Sequence, residues 1–333
     1  MFWITKTPLR VSLFGGGTDY PEYYMRHPGA VVGLSIDKYI YIAALRLTTL
    51  QKYNYRLSYS QLEHCDRVED IAHPVVREII RAFDLSERLD ISIISDLPAT
   101  GSGLGSSSAF TVGFLRAVYA IRGQRPTKIE LARQAIEVER ELLAENVGVQ
   151  DQLHAAFGGL NRFDFEGPTI RIRPVQMSSS AVERLNRTMV LVHTGITRRA
   201  TAAVAAQIEA TTAGRIDREL KDLYGLVEVC VDLLEGEGRD WLPELGRMLS
   251  ESWSIKRSLS RDVSNDALDA VFRAILDAGA YGAKLCGAGG GGFFLALMEP
   301  DQVQRLGERI GSSSVVPIRL DVEGSALIHC QTG

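Results

Sequence analysis

Cysteine is scarce in this 333-residue chain, and the four present, Cys65, Cys230, Cys286 and Cys330, are scattered. None forms a Cys-x-x-Cys pair or joins a histidine cluster at metal-ligand spacing, so zinc-ribbon and redox-motif readings fall away and a reducing compartment is expected. Charge of one sign is missing too. The 37 Lys and Arg against 41 Asp and Glu leave a net charge of -4, which provides no general basic field for nucleic acid. A local basic pocket for a small phosphorylated ligand stays possible. No stretch approaches the roughly 18 uninterrupted apolar residues of a membrane span. The opening MFWITKTPLRVSLF lacks the basic start, long apolar core and cleavage site of a signal peptide. A soluble cytoplasmic protein, with neither membrane nor nucleic acid as partner, is expected.

Repeats and long low-complexity tracts are also absent. With 45% hydrophobic and 23% charged residues over this length, the chain can bury substantial cores and suggests two domains. Tyr39–Leu47 and Leu89–Leu97 read as strands, being β-branched and apolar. Gly105–Ile121 reads as a buried helix opened by serine caps, and Thr127–Glu145 as an amphipathic helix with a capping box from Thr127 and Glu130. Two short strands around 158–175 precede a junction at Gln176–Asn186, which divides the chain into units 1–176 and 177–333. Beyond it come a strand, helices from about Arg198 to Leu276, a strand–glycine turn–strand, a helix and a last strand in SSVVPIRLDV. This order predicts an α+β fold rather than regular βαβ repeats.

Three glycine-rich stretches need explaining. LPATGSGLGSSSAF (Leu97–Phe110) lies between a strongly apolar strand and a strongly apolar helix, which argues for a structured turn rather than a linker. It lacks the lysine of a P-loop and the third glycine of the dinucleotide fingerprint. What remains is a glycine loop feeding a helix whose N–H groups and dipole suit an anion; locally, a helix cap and a phosphate cradle fit equally well. GAGGGG (Gly287–Gly292) matches G-x-G-x-x-G but runs into the strand-like FFLALM, so a dinucleotide site is disfavoured. Five glycines in six residues imply a close approach to the backbone. TPLRVSLFGGGTDY (Thr7–Tyr20) ends a strand in three glycines, then Thr18 and Asp19. It is either a plain turn or a loop offering Asp19 to a hydroxyl-bearing ligand.

Two carboxylates stand out. At about 100° per residue, Glu139 falls inside the apolar arc of its helix, a costly place for a charge without a cation or metal beside it. Asp151 follows twelve residues later at an expected helix start. Its charge there suits either the helix dipole or a substrate hydroxyl. His154 and the other histidines read as structural.

Together these features resemble the GHMP kinase superfamily over nearly the whole chain. PLRVSLFGGGTD, LPATGSGLGSSSA and KLCGAGGGGFFL occur in the family's order, with Glu139 and Gln150-Asp151-Gln152 spaced as in galactokinase-like members. The resemblance implies an N-terminal domain like ribosomal protein S5 domain 2, a C-terminal ferredoxin-like domain, an active site in the cleft between them, and ATP with Mg2+. By position, Gly101, Ser102, Gly103, Leu104, Gly105, Ser106, Ser107 and Ser108 would wrap the ATP phosphates, while Ser107 and Glu139 would hold magnesium. Asp151 would orient or deprotonate the acceptor hydroxyl, with Arg10 beside it. Gly17, Thr18 and Asp19 would hold a sugar, and Gly289 and Gly290 would sit on the substrate side near the reacting phosphoryl.

Where galactokinase-like members read G-E-H-T-D, this chain reads Gly15-Gly16-Gly17-Thr18-Asp19, which counts against a plain galactokinase. GGGTDYPEYY is similar to a branch of sugar 1-kinases that act on the anomeric hydroxyl of a heptose 7-phosphate, with fucokinase-like enzymes nearby. A 7-phosphate needs a second anion site. Thr197 and Arg198, at a helix start, are the first candidates, and Lys256 and Arg257 the second. The implied partner is a small sugar phosphate destined for nucleotide-heptose and surface polysaccharide synthesis, with a homodimer as the expected assembly. A kinase of an unphosphorylated sugar, and a catalytically inactive sugar- or nucleotide-binding regulator, are the alternatives.

Overall fold

The computed structural model describes residues 1–98, 101–196, 201–236, 240–260 and 263–331, the side chains of 201–203 excepted. Two long strands organise the first sheet: β1 (Phe2–Phe14) and β2 (Gly29–Arg46), separated by the short helix α1 (Pro21–Tyr24). The antiparallel pair β3 (Tyr55–Ser58) and β4 (Leu62–Cys65) leads to helix α2 (Pro74–Ala82) and strand β5 (Leu89–Ser95). Helix α3 (Ser106–Ile121) is apolar nearly all round because it is enclosed by β1, β2 and two further helices, α4 (Lys128–Glu137) and α5 (Gln150–Phe157). The reciprocal Thr127–Glu130 box forms at the start of α4, as the sequence predicts. The regular helix then ends early. Residues Val138–Leu142 make a π-helical turn, closed by a bond from the Leu143 N–H to the Val138 carbonyl at 3.0 Å. Glu139 sits in this widened turn.

Strands β6 (Leu160–Glu166) and β7 (Thr169–Pro174) complete the first half, and the stretch expected as a junction folds largely as helix α6 (Ser179–Thr188). Next come β8 (Met189–His193), α7 (Thr201–Thr212), α8 (Asp217–Glu235), α9 (Trp241–Leu259) and α10 (Asp266–Asp277). The chain continues through β9 (Gly282–Leu285), β10 (Phe293–Leu297), α11 (Pro300–Ile310) and β11 (Val315–Pro317) to β12 (Ala326–Gln331). The second sheet has the order β11-β8-β10-β9, antiparallel throughout. Counted within that sheet this is 4-1-3-2, the order of a ferredoxin-like βαββαβ unit, and it carries the expected α+β class.

The first sheet runs β12-β1-β2-β5-β3-β4, with β6 and β7 branching from β2. Its outermost member is therefore the last strand of the chain, which pairs antiparallel with β1. The sequence reading ended one strand too early, at SSVVPIRLDV. The largest apolar cluster joins Leu9 and Val11 of β1 to Val227 of α8, Leu249 of α9 and Phe293 of β10, so the two sheets share one core. A cleft opens along that seam. Among the described residues, no helix is long and apolar enough to cross a membrane.

Candidate active site

The cleft encloses a cavity of about 920 Å³ where all three glycine stretches converge. At its centre the Arg10 guanidinium clasps Asp151 through two bonds, Nε to Oδ1 at 2.7 Å and Nη2 to Oδ2 at 2.6 Å. A third bond, from Nη1 to the Gly103 carbonyl at 2.6 Å, ties the pair to the Gly-Ser loop. Burial works against the Arg10 charge, but Asp151 more than compensates, and the guanidinium pKa is raised overall. The lattice of β1 thus presents a permanent cation beneath the first turn of α5, where Asp151 stands. The structure brings Arg10 and Asp151 together, as the resemblance implies.

The Gly-Ser loop hugs the same pair. Its last residue, Gly105, is the N-cap of α3 at φ 72, with Arg10 and Asp151 atoms 3.1–3.3 Å from where a β-carbon would stand. No serine side chain caps α3, contrary to the expected serine caps. The start of this 16-residue helix has no side-chain cap, and Gly105, Ser106 and Ser107 at that end line the cavity. Ser102 and Ser106 bond each other at 2.7 Å and hold the loop's shape, and buried Leu104 anchors it. Gly101, Gly103 and exposed Ser107 line the cavity.

The crowding of glycines at 287–292 has a structural cause. A β-carbon on Gly287 would lie 2.5 Å from the Gly103 Cα, and one on Gly103, at φ 73, would lie 2.4 Å from the Cys286 carbonyl. The two glycine loops run backbone against backbone, bridging the lobes. Gly289 and Gly290 do not line the cavity. A β-carbon on Gly289 would meet Val263, and the Gly290 N–H donates to the Val263 carbonyl at 3.0 Å; Gly287 and Ala288 line the cavity instead.

Glu139 is 1% exposed, and burial pushes its carboxyl up to about 7. It accepts from Ser108 Oγ at 2.8 Å and Gln152 Nε2 at 2.5 Å, while its Oε1 has no partner among the described residues. The serine joined to Glu139 is thus Ser108, whereas Ser107, the expected second magnesium ligand, faces the cavity. A carboxylate oxygen left unsatisfied at full burial fits a divalent cation; magnesium keeps several waters and needs few protein ligands. Among the described residues, no group of three or more His, Cys, Asp or Glu forms a denser metal site.

Of the first glycine loop, Gly17 and Asp19 line the cavity. Asp19 is 1% exposed, its pKa raised by burial, and its Oδ1 accepts the Gly17 N–H at 2.9 Å. Thr18 does not face a ligand. Its hydroxyl donates within the turn, to the carbonyls of Gly15 and Ala30 at 2.8 and 2.9 Å, and accepts the Ala30 N–H at 3.0 Å. His154 is fully buried away from the cavity against Phe163, and burial pulls it down to about 3, so it stays neutral. Thr197 and Arg198 lie outside the described residues. Arg257 turns away from the cavity to pair with Asp269 at 2.6 Å.

The sequence reading missed Lys284. It stands in an apolar strand, 5% exposed, and donates to the Leu13 and Ser12 carbonyls at 2.7 and 3.2 Å. A lysine amid GAKLC was the available signal. Lys256, the second-choice candidate for a sugar-phosphate site, lines the cavity and bonds the Gly287 carbonyl. Burial lowers the pKa of both, to about 8 for Lys256 and about 7 for Lys284. A further group, Tyr59, His73 and Phe110, forms an aromatic wall with ring centroids 4.7–5.0 Å apart.

A helix N-terminus beside a cleft, a charge-clamped aspartate and a buried carboxylate suit phosphotransfer of the kinase type. Residues 70–159 match the N-terminal domain of the GHMP kinases and residues 241–315 their C-terminal domain. A D-glycero-alpha-D-manno-heptose 7-phosphate kinase of Campylobacter jejuni is 31% identical over 91% of each chain. A galactokinase of Pyrococcus furiosus is 26% identical over 92% of this chain and 91% of its own length. The crystal structure of a D-glycero-D-manno-heptose 1-phosphate kinase of Bacteroides thetaiotaomicron superposes over 100% of both chains with a TM-score of 0.74 at 24% identity. The chain belongs to the GHMP kinase family, whose members use ATP.

Proposed function

We propose that this enzyme transfers the γ-phosphoryl group of ATP to the C1 hydroxyl of a heptose 7-phosphate. The observation that carries the phosphotransfer reading is the Arg10–Asp151 clasp, held 2.6 Å from the Gly103 carbonyl of the loop that opens α3. It sets an acceptor-binding carboxylate directly beside a phosphate cradle. The heptose reading rests on likeness to the Campylobacter jejuni enzyme and on the GGGTD form of the first loop.

In this reading the free N–H groups at the start of α3, with Ser106 and Ser107, hold the phosphates of ATP. Tyr59, His73 and Phe110 offer the aromatic wall suited to a flat base. Glu139 and Ser108, with Ser107 nearby, would hold Mg2+, which neutralises phosphate charge when bound. Asp19 and the Gly17 backbone take sugar hydroxyls. Asp151 accepts a hydrogen bond from the C1 hydroxyl and receives its proton as the oxygen attacks. Both oxygens bound to Arg10 keep a second lone pair free for this. Arg10 fixes the carboxylate's direction and answers charge on the transferring group. The cleft keeps water from competing as acceptor.

The test is ADP release with ATP, Mg2+ and, in turn, heptose 7-phosphate, mannose, fucose and galactose. Turnover only with the unphosphorylated hexoses would sink the heptose phosphate assignment. No turnover with any sugar, at intact nucleotide binding, would favour a regulator built on the kinase fold.

A further inference from the structure

Lys256 and Ser252 stand four residues apart on α9, one turn of helix, and both face the cavity. Ser252 is fully buried and, among the described residues, its hydroxyl has no hydrogen-bond partner. Among the described residues Lys256 makes one hydrogen bond, to the Gly287 carbonyl, and no ion pair. Gly287 is the residue packed on Gly103 of the Gly-Ser loop. Charges that act on the Lys256 ammonium include those of Arg10, Asp19 and Asp151, with the Cys286 thiol beside them, and Lys256 and Lys284 repel each other. Lys256 therefore lines the cavity beside the loop that packs on the phosphate cradle, within electrostatic reach of Asp19 and Asp151.

The local charge balance is uneven. Arg10 is spoken for by Asp151, and the Lys284 ammonium by two carbonyls of β1. Among the described residues Lys256 bonds only a neutral carbonyl, at a position where burial disfavours its charge. A cation held this way gains strongly from an arriving anion.

We infer that Lys256 is a second cation of the transfer site: its ammonium moves from the Gly287 carbonyl onto the γ-phosphoryl group, with the unpartnered Ser252 hydroxyl as a neighbouring donor. The inference rests on the phosphotransfer reading but not on the identity of the sugar. No bond to Lys256 forms or breaks; the residue stabilises charge on the oxygens in flight.

The test compares binding of ADP and of a non-hydrolysable ATP analogue, both with Mg2+, by calorimetric titration. Lys256→Met is expected to weaken the analogue about 10- to 100-fold while ADP changes less than about twofold, since one charge-assisted contact is lost only where a γ-phosphate is present. Lys256→Arg, which keeps the charge and guards against misfolding of the methionine variant, is expected to retain most of the analogue's affinity. Equal losses for both nucleotides, or no loss for either, would overturn the assignment. So would a defect confined to the KM of a phosphorylated sugar, which would move Lys256 to the acceptor's own phosphate. If the wild type binds both nucleotides but phosphorylates no sugar, only the acceptor assignment falls. If it binds neither, the phosphotransfer reading falls with this one.

Discussion

Asp151→Asn separates what the Arg10–Asp151 clasp does for stability from what it does for chemistry. The amide keeps the shape of the carboxylate but replaces one acceptor oxygen with a donor. One of the two bonds, at 2.7 and 2.6 Å, becomes a donor facing a donor, and the Arg10 guanidinium, whose side chain is 7% exposed, keeps its charge. Removing one member of a buried pair costs about 3–5 kcal/mol. The Gly103 carbonyl still accepts from Nη1, so the lower end, about 3 kcal/mol, is expected here. At about 2–4 °C per kcal/mol for chains somewhat shorter than this one, the thermal midpoint should fall by several degrees. Turnover should fall about 10²- to 10⁴-fold, the range for losing a positioned proton acceptor. The double variant Arg10→Met with Asp151→Asn should recover stability relative to Asp151→Asn alone, because the stranded charge is gone, while recovering no activity. Coupled ADP-release kinetics and thermal melts of the wild type, both single variants and the double variant give the complete cycle. Turnover within about tenfold of wild type in Asp151→Asn would refute the proton-acceptor role. A double variant no more stable than Asp151→Asn would refute the buried-charge account of Arg10.

Glu139 gives a pH prediction. Its folded pKa, about 7, lies above the ordinary carboxyl value, so the folded protein holds a proton that the unfolded chain releases. Without magnesium, stability should therefore be greatest below about pH 4.5 for this group and decline as pH rises toward 7, by on the order of 3 kcal/mol in total. Glu139→Gln should flatten that decline in denaturant titrations at pH 5 and 8; an unchanged difference between the two pH values would contradict it. Thr18→Val removes the hydroxyl that bonds Gly15 and Ala30, and should lower stability by about 1–3 kcal/mol with the sugar KM unchanged. A raised KM at unchanged stability would return Thr18 to the substrate site.

The elements that lie close together in the sequence were legible in it. The Thr127–Glu130 box, the strand–turn–strand around Gly287–Gly292 and the α+β order depend on residues a few positions apart. Asp151 beside Arg10 was reached through family resemblance rather than geometry. Three kinds of feature were not legible. Helical periodicity placed Glu139 on the buried face, but no local pattern announces a π turn at Val138–Leu142, and that turn sets which serine Glu139 meets. Threonine 18 looked like a ligand because a turn's internal hydrogen bonds are invisible until the turn is closed. The glycines at 287–292 signalled a close approach, as they should, but the approaching partner is another stretch of this chain at Gly103. A sequence records that room is needed, not what fills it.

The pairing of β12 with β1 has a consequence for how the protein is made. β1 is synthesised long before its partner Ala326–Gln331. At ordinary rates of translation, roughly 15–60 s separate β2 from that last strand. Throughout this interval the first sheet has an open hydrogen-bonding edge, the kind of edge to which other nascent chains add. The first lobe therefore cannot finish folding during its own synthesis. Its closing step is a long-range strand addition, slow by topology, and chaperone demand should fall on the N-terminal half even though the defect is cured from the C-terminal end.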